Sequence, residues 1–322
     1  MAQKGIIAAI KDQGGIAPEQ GGELIIPDGF LTPGFIATAT CLGHVRGITR
    51  LTYRNPDLHE RYFEAMQVPY LLTGVDGYHL VRTNQGTNYS PMQLLETADD
   101  VDKATSETSN CILRQVGDDL PGIRNLCDVI GELHDNVRAH ADGVGYSMAQ
   151  NWRYMGRELV IEFAITDAGQ GFLRECQRTA VPGVTDDETA IRWCLEPRHS
   201  TKDVEVDEFA QQQPEDAIGN PFGDAPDVYV RHDGNHHQGL GLAKLVELTR
   251  AYSGTLWVAS GQAVLISNPH TRDAVSVGNF VAVPHWQGVA IACRLQISEL
   301  GKPIEEEPLQ DDVQNLLGDI LI

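Results

Sequence analysis

The chain has 322 residues, 42% of them apolar, enough for one large or two ordinary domains with a sizeable core. Lys and Arg number 24 against 45 Asp and Glu, a formal net charge of −21. That balance disfavours nonspecific nucleic-acid binding and attachment to an anionic membrane, both of which draw on clustered positive charge. A nucleotide remains admissible, because backbone amides and a divalent cation offset phosphate charge locally.

Residues 1–19 are Gly-rich and polar and read as a flexible N-terminus. Residues 20–108 read as a small α/β domain with a linker. Glu23–Pro27 is strand-like, and Thr32-Pro33-Gly34 opens a helix, with Thr suited to cap it and Pro to its first turn. Residues 47–53 are again strand-like, and Asn55-Pro56-Asp57 starts a helix that gathers Leu58, Tyr62, Ala65 and Met66 near one face. The polar stretch 83–108 is part linker and part approach to a helix.

Residues 109–300 read as a second domain. Leu126, Ile130, Leu133 and Val137 recur at helical spacing, and residues 146–154 and 159–166 form a hairpin across Met155-Gly156-Arg157. A helix should follow Asp187. Another carries Leu242, Leu245, Val246 and Thr249 and ends at Ser253-Gly254, with Gly254 as its left-handed cap. Residues 255–259 and 289–297 supply further strands. Strand pairs separated by helices predict an α+β fold, a two-layer sandwich of a mixed sheet with helices on one face. Residues 203–238 carry nine acidic residues and one basic, the composition of a lid or insertion. In 301–322 an acidic segment precedes Val313, Leu316, Leu317, Ile320 and Leu321, an amphipathic helix that would dock on this chain or a partner.

Six scattered cysteines without a C-x-x-C pair point to reduced thiols, not to a disulfide framework or a zinc site. The N-terminus lacks a signal-peptide pattern, and no apolar run reaches the roughly 18 residues a membrane span needs. The expectation is a cytoplasmic protein.

Three short patterns carry chemistry. Asp128, Glu132, Asn136 and His140 stand four apart, one polar stripe on a helix. Glu132 is suited to orient or deprotonate a water, and the Asn136 side-chain oxygen to meet Mg²⁺; a solvated helix face has the same pattern. Asp167 ends an apolar strand before Ala168-Gly169-Gln170-Gly171. A carboxylate there can accept from an exocyclic amine while the glycines let a flat ring approach, though an ordinary Asp-Gly turn has the same letters. Gly239-Leu240-Gly241-Leu242 opens a helix whose amides make an anion cradle or a plain loop-to-helix junction. There is no G-x-x-x-x-G-K-[ST] loop, and no G-x-G-x-x-G follows a strand with a suitable acidic residue behind it. His232, His236 and His237 are too loosely spaced to outweigh a polar surface as the better reading.

Together these residues resemble the GHKL ATPase superfamily over about residues 110–297. Glu132, Asn136 and His140 match its N box, Asp167-x-Gly169-x-Gly171 its first glycine box, and Gly239-Leu-Gly241-Leu with Ser253-Gly254 and Ser260-Gly261 its second. The resemblance implies ATP and Mg²⁺ as cofactors. By it Asn136 holds the metal, Glu132 is the general base, Asp167 reads adenine, and Gly169 and Gly171 border the base. Gly239, Leu240 and Gly241 meet phosphates, with Lys202 of His199-Ser200-Thr201-Lys202 as a further phosphate contact, and His140 supports the site from behind. Two positions depart from the pattern: His237 stands where a further Gly is usual, and Gly288-Val289 where Gly-Thr is usual. Residues 24–42 look like a STAS-type module, in which Thr32 would be the phosphorylated residue or simply a helix cap. The implied functions are an ATP-hydrolysing switch acting on a protein partner or within a homodimer, a serine/threonine kinase of the anti-sigma-factor type, or a nucleotide-binding scaffold without turnover. A histidine kinase module fits less well, because no phosphoacceptor helix pair is evident.

Overall fold

A computed structural model of the chain describes residues 3–13, 22–116, 123–140, 144–154, 158–196, 240–267 and 279–300. In chain order these form β1 (Gln3–Lys4), α1 (Ile6–Gln13), β2 (Glu23–Ile26), β3 (Phe30–Leu31), α2 (Pro33–Val45), β4 (Arg50–Tyr53), α3 (Pro56–Ala65) and α4 (Val68–Thr73). There follow β5 (Gln93–Leu95), α5 (Ala98–Val116), α6 (Ile123–His140), β6 (Gly145–Tyr154), β7 (Glu158–Asp167), α7 (Gly171–Arg178) and α8 (Asp187–Leu195). The described residues end with α9 (Leu240–Ala251), β8 (Thr255–Ser267), β9 (Asn279–Gln296) and α10 (Ile297–Leu300).

The central element is a five-stranded sheet in the order β5-β6-β7-β9-β8. Its period-2 side chains divide two cores. Ile161, Phe163 and Ile165 of β7, with Ile291, Cys293 and Leu295 of β9, pack against the apolar stripes of α5, α6 and α9. On the opposite face Ala164, Ala290 and Ala292 meet Phe35, Ile36 and Ala39 of α2 and Ile6 and Ile10 of α1. Small residues on that face let α2 settle directly on the strands. Burying Phe35 and Ile36 completely stabilises this layer by about 1.5–3 kcal/mol each.

Polar contacts also join the two layers. Glu162 on β7 is 1% exposed, and its Oε1 accepts from the backbone amide of Gly34 at 3.0 Å, in the first turn of α2. Its Oε2 accepts from Nε and Nη2 of Arg294 at 2.8 and 2.6 Å. The guanidinium lies over Trp152 and Trp257, 5.3 and 5.0 Å from their centroids, and donates through Nη1 to Gln3 Oε1 at 2.7 Å.

The fold is α+β as expected, but two features correct the sequence reading. Every pair in the five-stranded sheet is antiparallel, so the sheet is not mixed; parallel pairing occurs only in the separate two-stranded β1-β3 and β2-β4 sheets. The sheet is covered on both faces, which makes three layers instead of two. The flexible N-terminus is also corrected: residues 3–13 form β1 and α1, and Ile6, Ala9 and Ile10 are buried under the sheet. The boundary placed near Ser109 falls inside α5, a 19-residue helix whose Val101, Ala104, Cys111 and Ile112 belong to the core, so the second half of the polar stretch is not a linker.

Other details match or refine. β6 and β7 pair along their whole length, from Gly145 opposite Asp167 to Tyr154 opposite Glu158. The left-handed residue ending α9 is Ser253 (φ 49), not Gly254, which is needed because a side chain there would run into Leu295. Thr32 precedes α2 as its N-cap without a side-chain capping bond, and the residue is buried, its hydroxyl included. An enclosed hydroxyl is out of a kinase's reach in this conformation. The cysteines are all free thiols, four of them buried. The lid 203–238 and the C-terminal segment 301–322 lie outside the described residues.

Candidate functional site

β7 delivers Asp167 to the end of the sheet, where it is 8% exposed. Its Oδ1 accepts from the amides of Gly169 at 2.8 Å and Val289 at 3.3 Å. Burial pushes its carboxyl up to about 6, and these two amides pull it only partly back. No ion pair offsets its charge among the described residues. Gly288 makes the close approach on the β9 side: it takes φ +95, and a Cβ would overlap the Asp167 carbonyl. Val289 thus offers Asp167 a backbone N–H at the position where the resembled family offers a threonine hydroxyl.

The turn after Asp167 leads into α7. Gly171 (φ +75) sits under Ser260 and Gly288, and Ser260 Oγ accepts from the Phe172 amide at 3.0 Å, which satisfies one free donor of that helix start. Ser260-Gly261 is therefore a bulge in β8, where the register to β9 shifts, and not a continuation of a phosphate loop. A cavity of about 660 Å³ opens here between Gly169–Gly171, Ser260-Gly261, Asp187 and Trp286. It takes Gly169 and Gly171 from the expected site and none of Glu132, Asn136, Asp167 or Gly241. Contacts between residues thus describe the site better than the cavity does.

The second cluster lies where α6 crosses α9. A Cβ on Gly241 would stand 3.1 Å from Glu132 Oε2, 3.2 Å from Glu132 Cβ and 3.7 Å from Asn136 Nδ2. A side chain at Gly241 would crowd Glu132, so glycine lets the start of α9 sit close against the polar stripe of α6. Glu132 Oε1 accepts from Lys244 Nζ at 2.8 Å. Two residues from Glu132 and on another face of α6, His134, fully buried, bonds Ser147 Oγ through Nε2 at 2.7 Å and Thr105 Oγ1 through Nδ1 at 2.9 Å, tying α6 to β6 and α5. Burial lowers its imidazole to about 3, so it is neutral at physiological pH.

Comparison of the chain with protein-family models, with curated proteins and with solved structures found no match.

Glu132, Asn136 and Gly241, far apart in sequence, come together at the α6–α9 crossing. Asp167 and Gly169 come together at the end of β7, with Gly171 beside them. Lys202 and Gly239 lie outside the described residues, as do His232, His236 and His237; Leu240 begins α9, but its side chain and that of His140 are not described. Sequence reasoning missed Lys244, although it stands three residues after Gly241 and so on the same helix face. It also missed His134, inside the Glu132–Asn136 motif itself, because a lone histidine next to apolar Leu133 carries no signal of its own. Gly288 was noted only as part of a departure from the family pattern.

Proposed function

We propose that this chain is an ATP- and Mg²⁺-binding protein of the GHKL type that hydrolyses ATP as a regulatory switch for a protein partner. The observation that carries this reading is the convergence of Glu132 and Asn136 on Gly241 at the start of α9. An N-box helix and a glycine-started helix meet there as a phosphate site requires. Asp167 adds a buried carboxylate with no cation beside it among the described residues, at a strand end bordered by glycines, suited to an exocyclic amine.

Asn136 has no side-chain hydrogen bond among the described residues and would meet Mg²⁺ through its amide oxygen. Those residues contain no group of three His, Cys, Asp or Glu side chains fit to hold a metal. Mg²⁺ takes few protein ligands and completes its shell with phosphate oxygens and water. When bound, the ion would offset phosphate charge and polarise the terminal phosphoryl group. Glu132 would take a proton from a water as the water oxygen bonds the γ-phosphorus. The bond from phosphorus to the β,γ-bridging oxygen breaks, ADP leaves with that electron pair, and the proton passes from Glu132 to solvent. Among the described residues no helix is long and apolar enough to cross a membrane.

The test is incubation of the full chain with γ-labelled ATP and Mg²⁺, reading both released phosphate and labelled protein. Phosphate release that disappears in Glu132→Ala is the expected result. Label retained on protein would replace the switch with a protein kinase. Binding without either product would leave a nucleotide-sensing scaffold, and no binding would overturn the reading.

A further inference from the structure

Lys244 lies on α9 three residues beyond Gly241, and its ammonium is 2.8 Å from Glu132 Oε1. The two partners are unequally enclosed: the Glu132 side chain is 23% exposed, the Lys244 side chain 44%. Its other oxygen, Oε2, faces Gly241. Glu132 thus lies between two helices, while Lys244 has a long, half-exposed stem that can swing without disturbing the packing. A carboxylate oxygen already engaged by an ammonium is not free to receive a water molecule. Yet the proposed reaction needs Glu132 as a base.

We infer that Lys244 is a latch on Glu132 that an incoming nucleotide releases: the ammonium leaves the carboxylate for a phosphate oxygen, and Glu132 is freed for the water. This rests on the nucleotide-site reading above and adds a positioning residue to it. Lys244 lies one turn along α9 from Leu240, on the helix whose first amides would hold phosphate. A di- or triphosphate offers more negative charge than one carboxylate and outcompetes it. The latch keeps the Glu132 carboxylate engaged while the site is empty and couples its release to occupancy.

The test titrates a non-hydrolysable ATP analogue with Mg²⁺ into the wild-type chain, Glu132→Gln, Lys244→Met, Lys244→Arg and the Glu132→Gln/Lys244→Met double variant, by calorimetry. Because half-exposed ion pairs are weak, Glu132→Gln should tighten binding about two- to fivefold by leaving Lys244 free. Lys244→Met should weaken it roughly tenfold, the size of one charge-assisted phosphate contact, and Lys244→Arg should restore it to within about threefold. In the Lys244→Met background the tightening by Glu132→Gln should vanish. Equal tightening in both backgrounds would reduce the effect to repulsion between Glu132 and phosphate and overturn the latch. An unchanged affinity in Lys244→Met would overturn it as well. Failure of the wild-type chain to bind the analogue would instead sink the nucleotide site itself, and the latch with it.

Discussion

β7 carries two buried carboxylates five residues apart, and they are treated in opposite ways. Glu162 is mid-strand, 1% exposed, and fully matched: a helix-start amide on one oxygen, a two-pronged guanidinium on the other, two indoles over the guanidinium. Asp167 is at the strand end and held by backbone amides, with burial as the largest influence on its carboxyl. A charge buried with a partner holds layers together. One buried without a cation costs stability, and such groups gather where ligands bind. The comparison separates the architecture of this molecule from its candidate chemistry within one strand.

Breaking the matched site should have the largest effect. Arg294→Ala strands the Glu162 carboxylate in the core and should cost about 3–5 kcal/mol of unfolding free energy, measured in urea. Arg294→Ala combined with Glu162→Gln should recover part of that loss, because no buried charge is then left unpaired. Equal instability of the single and double variants would mean that lost packing on Trp152 and Trp257, and not the charge, sets the cost.

The unmatched site should show the reverse pattern, losing binding and not stability. Asp167→Asn keeps an oxygen on the Gly169 and Val289 amides and turns a donor NH₂ toward an exocyclic amine, so ATP binding should weaken by about 2–3 kcal/mol, roughly thirty- to a hundred-and-fiftyfold. Its stability at pH 7.5 should equal or exceed that of the parent chain. A carboxyl raised from 3.8 to about 6 contributes stability that is complete below 3.8 and is lost as pH rises through 6. The ionised form is therefore the costly one, and asparagine never takes it. Unchanged nucleotide affinity in Asp167→Asn would put Asp167 with Glu162 as a fold residue.

The sequence revealed the two sites unequally, for physical reasons. Asp167 was legible because its strand is a continuous apolar run that stops at an acidic residue and two glycines, a local pattern. Glu162 was hidden inside that same run: its partner Arg294 is 132 residues away, and only the β7–β9 pairing brings them together. The antiparallel direction of that pairing was equally hidden, since strand direction depends on long connections and not on side-chain period. α1 was missed because a Gly-rich flank masks Ile6-Ile7-Ala8-Ala9-Ile10, whose apolar face has meaning only once the sheet's second face is known to be covered. Glu132, Asn136 and Gly241 were each legible as motif letters. Their contact became evident only when α9 was seen to cross α6 at the glycine.

The finest distinction is in the pH dependence, where Asp167 opposes a third buried group. His134 is lowered from 6.5 to about 3, so its stability contribution is present above pH 6.5 and lost as pH falls toward 3, by about 1.4 kcal/mol per unit. Asp167 runs the other way between about 4 and 6. In that window the two slopes nearly cancel. Removing one should expose the other: Asp167→Asn should lose stability more steeply than the parent chain on acidification from pH 6 to 4.5, and His134→Asn less steeply. Urea midpoints at pH 4.5, 5.5 and 6.5 for the three proteins check this. Parallel curves would mean that neither group is held in the state its burial dictates. The case for Asp167 as a carboxylate kept for a ligand would then rest on nucleotide binding alone.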